Sequence, residues 1–201
     1  MIERPLARGF AAWLGATLLA AFRWKVVLAQ PVPDRCVIIF YSHTTNWDTP
    51  IGLCMKFMTG LSVQFAGKDS LFRVPVVGPL LLHWGGVPVN RRERTGFIGE
   101  MKAQFRAHAV FRLAIAPEGT RGHTEYWKSG FYHLAREARV PLALGYIDYP
   151  KREIGVGAYV ELCGDLDADM ATLRAFYAGK RGLHPERQAP IRLRDEGASA
   201  N

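Results

Sequence analysis

Apolar and polar positions along the chain alternate between two periods. The largely apolar runs Cys36–Ser42 (CVIIFYS) and Phe111–Ala116 (FRLAIA) are short, carry β-branched and aromatic residues, and read as strands. Between them, Ile51, Met55 and Met58 recur at helical spacing, which predicts a helix over Asp48–Thr59 with those side chains facing a core. The same reasoning predicts a short strand at Val63–Ala66, a helix over Gly96–Ala109 and a second over Trp127–Arg139, whose Phe131, Leu134 and Ala135 share a face. Val140–Asp148 and Glu153–Leu162 read as a strand pair around a turn at Tyr149, Pro150 and Lys151, and Asp167–Ala178 as the last helix. Strands and helices alternating at these lengths predict an α/β sandwich, a mixed central sheet flanked by helices. No repeat or low-complexity linker divides it, so residues 31–180 are expected to form one domain, with residues 181–201 a loosely held, polar, proline-bearing tail.

The first 30 residues have a different character. Gly9–Phe22 is almost wholly apolar until Arg23, Trp24 and Lys25 interrupt it. A spanning helix needs about 20 apolar residues, so the segment is short for a crossing and reads as a helix lying in a membrane interface. Trp13 and Trp24 would then sit at headgroup depth, with Arg4, Arg8, Arg23 and Lys25 meeting anionic lipid. A signal peptide cleaved near Leu28–Gln30 and an ordinary core helix are the competing readings.

Composition narrows the partners. The 201 residues carry a formal net charge of +8, which favours an anionic partner: a phospholipid surface, an acidic carrier protein, coenzyme A or nucleic acid. Nucleic acid ranks last, because the basic residues gather on no single amphipathic helix and no zinc-finger or ribonucleoprotein string occurs. Cys36, Cys54 and Cys163 are odd in number and far apart, as in a reduced intracellular protein. His83, His108, His123, His133 and His184 have no second ligand at metal-binding spacing, so no metal is expected.

Candidate chemistry gathers where predicted strands end. HTTNWD places His43 and Asp48 five apart just beyond the first strand. An imidazole oriented by a carboxylate is the minimal apparatus for deprotonating a hydroxyl, since the carboxylate fixes the tautomer and stabilises the imidazolium as it forms. The competing reading is that His43 caps a helix beginning at Thr45 or Asn46, with Asp48 favoured by the helix dipole. The second strand stops at Pro117–Arg121 (PEGTR), where Glu118 supplies an acceptor and Arg121 a fork of donors. GGVPVNRRER sets Arg91, Arg92 and Arg94 just past a short apolar segment, in position to bind an anion or simply to form a solvated turn.

HTTNWD, GGVPVNR and APEGTR, in this order, resemble the four-block signature of the glycerolipid acyltransferases, the family that includes 1-acyl-sn-glycerol-3-phosphate acyltransferase. His43 and Asp48 satisfy its first block, Gly86 and Arg91 its second, and Pro117, Glu118, Gly119, Thr120 and Arg121 its third in full. The fourth, a proline-bearing apolar strand, is matched in part: VPLALGY keeps Pro141 but has Leu144 where a second proline is common. Ala116 before the third block and Gly122 after it also depart from the usual residues, and the stretch GKDSLFRVPVVG resembles the family's Lys-x-x-Leu stretch followed by proline, a resemblance that implies Lys68 near the phosphate site.

The resemblance implies a glycerol-3-phosphate acyltransferase-like fold and transfer of an acyl group from acyl-CoA or acyl-carrier protein to a lysophospholipid hydroxyl, without a covalent acyl-enzyme or cofactor. His43 would be the base and Asp48 its orienting partner, with Lys68, Arg91, Glu118, Gly119, Thr120 and Arg121 around the acceptor and backbone amides of the PEGTR turn facing the oxyanion. It places the protein on the cytoplasmic face of the inner membrane, in phospholipid biosynthesis. The departures leave room for another amphiphilic acceptor, such as a lyso-ornithine lipid. A non-catalytic membrane-binding protein on the same scaffold is the remaining class, disfavoured by a base kept beside a carboxylate.

Overall fold

The computed structural model describes residues 7–89 and 94–194. Seven strands form one mixed sheet in the order β1-β7-β6-β2-β5-β3-β4. These are β1 (Lys25–Leu28), β2 (Arg35–Tyr41), β3 (Gln64–Lys68), β4 (Gly86–Val89), β5 (Phe111–Ile115), β6 (Leu142–Asp148) and β7 (Glu153–Val160). Every pairing is parallel except β6 with β7, the consecutive strands joined by only four residues, 149–152, too few for a parallel crossover. The central strand β2 lies between β6 and β5, with Val37 opposite both Leu142 and Leu113.

Both faces of the sheet are covered, which is why β2 and β6 read as continuous apolar runs rather than alternating ones. One face carries α4 (Arg94–Ala107), α5 (Gly130–Ala138) and α6 (Leu166–Tyr177) over a core that includes Val37, Ile39, Leu113, Leu142 and Leu144. Helix α5 puts Phe131, Tyr132, Leu134 and Ala135 into that core, and α6 starts where Asp165 caps the amides of Asp167 and Ala168. The opposite face is covered by α1 (Phe10–Ala21) and α2 (Asp48–Thr59) over Cys36, Ile38, Ala143, Ile154 and Val156. Gly15 is required where these helices meet, because a Cβ there would lie 2.7 Å from the Cys54 carbonyl oxygen.

Helix α2 has the bounds its periodicity predicts, and α1 covers Phe10–Ala21 of the expected Gly9–Phe22. Helix α1 is apolar all round: Ala12, Gly15 and Leu19 are buried, while Phe10, Trp13, Leu14, Leu18 and, at its C-terminal end, Phe22 remain exposed. Among the described residues no helix is long and apolar enough to cross a membrane.

Several elements differ from the sequence reading, among them β4, a strand paired in parallel with β3 where only a short apolar segment is expected. RWKVVL holds a strand, β1, which pairs in parallel with the sheet edge at β7. The stretch Val77–His83 is a short helix, α3, entered through a γ-turn in which Val77 N–H donates to the Pro75 carbonyl at 2.7 Å and Val76 takes a φ of 66°. Trp127 lies outside α5 and is buried beside Leu193, to which it is bridged. The described part of the C-terminal stretch, expected to be loosely held, is packed: Ala189 and Leu193 are buried in the main core.

Candidate active site

Strands β2, β5 and β6 run parallel, so their carboxyl ends open on one edge of the sheet, where ligands of open α/β sheets bind. That edge gathers the HTTNWD loop from β2, the PEGTR turn from β5 and the Tyr149 turn from β6. Segments more than 70 residues apart in sequence thus become neighbours.

His43 and Asp48 meet there. His43 Nδ1 lies 3.1 Å from Asp48 Oδ2, and the imidazole is 22% exposed while the carboxylate is 1% exposed. Asp48 Oδ2 also accepts the Thr45 amide at 3.1 Å, and Oδ1 accepts the Tyr149 hydroxyl at 2.8 Å. An acceptor-only carboxylate on Nδ1 makes Nδ1 the protonated nitrogen and leaves Nε2 to take a proton. Helix α2 begins at Asp48 itself, so the aspartate is also held at a helix N-terminus. The capping alternative for His43 is not what the geometry shows, since the residue preceding α2 is Trp47 and no side chain caps it. Ser42, next to the histidine, is buried with its hydroxyl unpartnered among the described residues.

Glu118 faces the backbone. It is 1% exposed, its Oε2 accepts the His43 amide at 2.6 Å, and its Oε1 accepts the Ala189 amide at 3.0 Å. Burial pushes its carboxyl above the usual range, while the two amides and the neighbouring His43 pull the other way. Glu118 therefore ties three segments together: β5's end, the histidine loop and residues 181–189. That last segment continues the enclosure, with His184 N–H donating to Thr44 Oγ1 at 3.2 Å and Arg181's carbonyl accepting the Tyr149 amide at 2.9 Å. Tyr41 donates its hydroxyl to the Ala189 carbonyl at 3.1 Å.

Arg121 reaches α2, donating from Nη2 to Thr49 Oγ1 at 3.2 Å, with its Nε buried and unpartnered. It forms no ion pair among the described residues, so a cation with donor capacity to spare sits one residue along α2 from Asp48. Gly119 takes a φ of 64°, a left-handed conformation that favours glycine, and a Cβ there would meet the far end of the Lys128 side chain at 2.7–2.9 Å. Its amide donates to the Ala116 carbonyl, which engages one of the PEGTR amides expected to face an oxyanion, and the amide of Gly122, just past the turn, donates to Thr120 Oγ1. Thr120 is exposed, as is Lys68 at the end of β3, two strands from β2. Arg91 and Arg92 lie outside the described residues, as does the Arg94 side chain. Among the described residues no group of three or more His, Cys, Asp or Glu is placed to hold a metal.

The family model described as Acyltransferase matches residues 23–150, from the start of β1 to the Tyr149 turn. The chain belongs to the acyltransferase family. This acyltransferase-family chain is 30% identical over 122 residues to a 1-acyl-sn-glycerol-3-phosphate acyltransferase of Borreliella burgdorferi, a match covering 58% of the chain and 48% of that protein. The chain thus spans about half the length of that curated relative. Its fold is that of the 1-acyl-sn-glycerophosphate (LPA) acyltransferase PlsC from Thermotoga maritima, with a TM-score of 0.57 at 16% identity over 84% of this chain and 76% of that one.

Tyr149, Thr49, Arg181 and Ala189 enter the candidate site with little mark in the sequence. Tyr149 stands in an expected turn, and the other three act through a threonine hydroxyl or main-chain groups that any residue type offers. The only signal for Tyr149 is its place directly after the proline-bearing strand of the fourth block.

Proposed function

We propose that this protein transfers a fatty acyl group from an acyl thioester, acyl-CoA or acyl-carrier protein, to a hydroxyl of a lysophospholipid, most closely 1-acyl-sn-glycerol-3-phosphate. The observation that carries the reading is the His43–Asp48 pair, 3.1 Å apart, with the carboxylate buried and the imidazole reachable from solvent at the carboxyl edge of the sheet. The name of the B. burgdorferi relative supports the acceptor.

In this reaction His43 Nε2 takes the proton of the acceptor hydroxyl as its oxygen bonds to the thioester carbonyl carbon. The tetrahedral intermediate then expels the thiolate by breaking the C–S bond, and the imidazolium returns the proton to sulfur. Asp48 keeps the proton on Nδ1 and offsets the imidazolium charge. Arg121 holds the acceptor phosphate with its unengaged donors, joined by Lys68 and Arg91. Glu118 sets the backbone height of His43 rather than touching the acceptor, which accounts for both its oxygens being bonded to amides.

The acceptor and product are membrane lipids, and the surface offers apolar groups to a bilayer. Phe10 and Trp13 on α1 and Phe22 at its C-terminal end are exposed, as are Val74, Val76, Val77, Leu80 and Leu82 around α3 and Trp47 beside the histidine loop. Basic residues flank both groups, including Arg23, Lys25 and Arg73, which suits an anionic, cytoplasmic leaflet. The decisive experiment is transfer of a labelled acyl group from each thioester to lysophosphatidic acid and to a panel of other lysolipids, with His43→Ala as control. Product that requires His43 supports the reading and ranks the acceptors. Absence of product on every acceptor, with folded protein bound to liposomes, would overturn it.

A further inference from the structure

Asp48 Oδ2 has two donors, His43 Nδ1–H and the Thr45 amide, whereas Oδ1 has one, the Tyr149 hydroxyl at 2.8 Å. The carboxylate is 1% exposed, so water does not replace that donor cheaply. A carboxylate gripped at one oxygen can turn about its last torsion, which is broad for aspartate; gripped at both, it cannot.

The turn that carries Tyr149 is fastened to the end of α1 at three places. The Tyr149 ring meets Trp24 edge to face, with centroids 5.1 Å apart at 86°. Arg152 Nη1 donates to the Phe22 carbonyl at 3.0 Å, and the Lys25 amide donates to the Arg152 carbonyl at 2.8 Å. Trp24 in turn donates its amide to the Leu19 carbonyl at 2.7 Å, closing the last turn of the helix. Burial, together with the adjacent Asp48 carboxylate, raises the Tyr149 hydroxyl well above its usual range, so it stays a donor throughout the working pH range.

Resting on the acyltransferase reading above, we infer that Tyr149 is a positioning residue for the His43–Asp48 pair, and that Trp24 holds Tyr149 so that the seating of α1 and the geometry of the pair are linked. The route is Leu19 and Trp24 at the end of α1, the Tyr149 ring, Asp48 and His43, each link being a contact described above. Helix α1 is also the element whose Phe10 and Trp13, with Phe22 at its C-terminal end, face outward, so whatever seats that helix bears on the aspartate through one tyrosine.

The test uses the full chain with Tyr149→Phe, Trp24→Ala and the double variant, assayed for acyl transfer to lysophosphatidic acid. Alongside it, the low-field proton resonance of His43 Nδ1–H is recorded by NMR, identified by its loss in His43→Ala. Tyr149→Phe should lower kcat about tenfold while leaving KM within about twofold, should move the resonance, and should lower the melting temperature by roughly 2–12 °C through the donor lost from a buried carboxylate. Trp24→Ala should lower kcat as well, yet change it by less than about twofold once Tyr149 is already phenylalanine. Wild-type turnover and an unmoved resonance in Tyr149→Phe would overturn the positioning role; losses that multiply in the double variant would overturn the link to α1. If the wild-type protein transfers no acyl group, the fault lies with the acyltransferase reading, and the resonance still decides whether Tyr149 orients the pair.

Discussion

Replacing Asp48 by asparagine keeps the size of the side chain and removes its charge. In the native pair the carboxylate lies 3.1 Å from His43 Nδ1 and is 1% exposed. Two unit charges at that distance interact by about 5 kcal/mol at an effective dielectric constant of ~20, and this stabilisation exists only while His43 carries the acceptor's proton. At 1.36 kcal/mol per tenfold in rate, its loss lowers turnover by roughly a factor of ten thousand. Tautomer choice acts in the same direction: an amide NH2 turned towards Nδ1 favours the imidazole with its proton on Nε2, which cannot act as the base. The Asp48 carboxylate is 1% exposed and engaged by His43, Thr45 and Tyr149, so KM should stay within about threefold of wild type. The assay is steady-state acyl transfer under saturating thioester, with the melting temperature recorded to show that the variant is folded. A folded Asp48→Asn protein that keeps more than about a tenth of wild-type turnover would refute the assignment of His43 as a base oriented by Asp48.

Three further outcomes follow from the same geometry. Glu118→Gln leaves one of the two buried amides, His43 or Ala189, facing an NH2 group, and should cost about 2 kcal/mol, read as a fall of about 4–8 °C in melting temperature. Because burial raises the Glu118 carboxyl above its ordinary 4.5, the folded state holds that proton more tightly than the unfolded chain. This contribution favours folding at low pH and is lost as pH rises from 4.5 through the raised value, so the stability advantage of wild type over Glu118→Gln should narrow over that interval and level off once the carboxyl is ionised in both folded and unfolded states; chemical denaturation across pH 4 to 8 measures it. Gly119→Ala forces a Cβ into the Lys128 side chain at a φ of 64° and should destabilise by about 1–3 kcal/mol, an effect absent if urea midpoints coincide. Phe10→Ser with Trp13→Ser should reduce co-sedimentation with anionic liposomes at high salt, where surface charge is screened; unchanged high-salt binding would remove α1 from the contact.

Much of this architecture is written locally. The period of the apolar residues marked α2 over its full length and placed β2, β5, β6 and β7 within a residue or two, because strand and helix faces repeat over windows of a few residues. His43 and Asp48 were legible for the same reason: five residues apart at a strand end, they need only one turn of chain to meet. Helix α3 escaped because it begins at a backbone turn with Val76 at positive φ, which a valine in the sequence gives no reason to expect. Strand β1 escaped because its four residues are strand only by virtue of the β7 edge beside them.

The sequence by itself thus determined the α/β class, the principal elements and the candidate pair His43 and Asp48. Only the tertiary structure decided which distant groups serve that pair. Tyr149 reaches Asp48 across 101 residues, Glu118 reaches the His43 amide across 75, and Ala189 reaches Glu118 across 71. Such partners are chosen by strand order and parallel register, which bring the carboxyl ends of β2, β5 and β6 to one edge. A buried carboxylate will accept from whichever donor the fold delivers, and no local pattern encodes where that donor comes from.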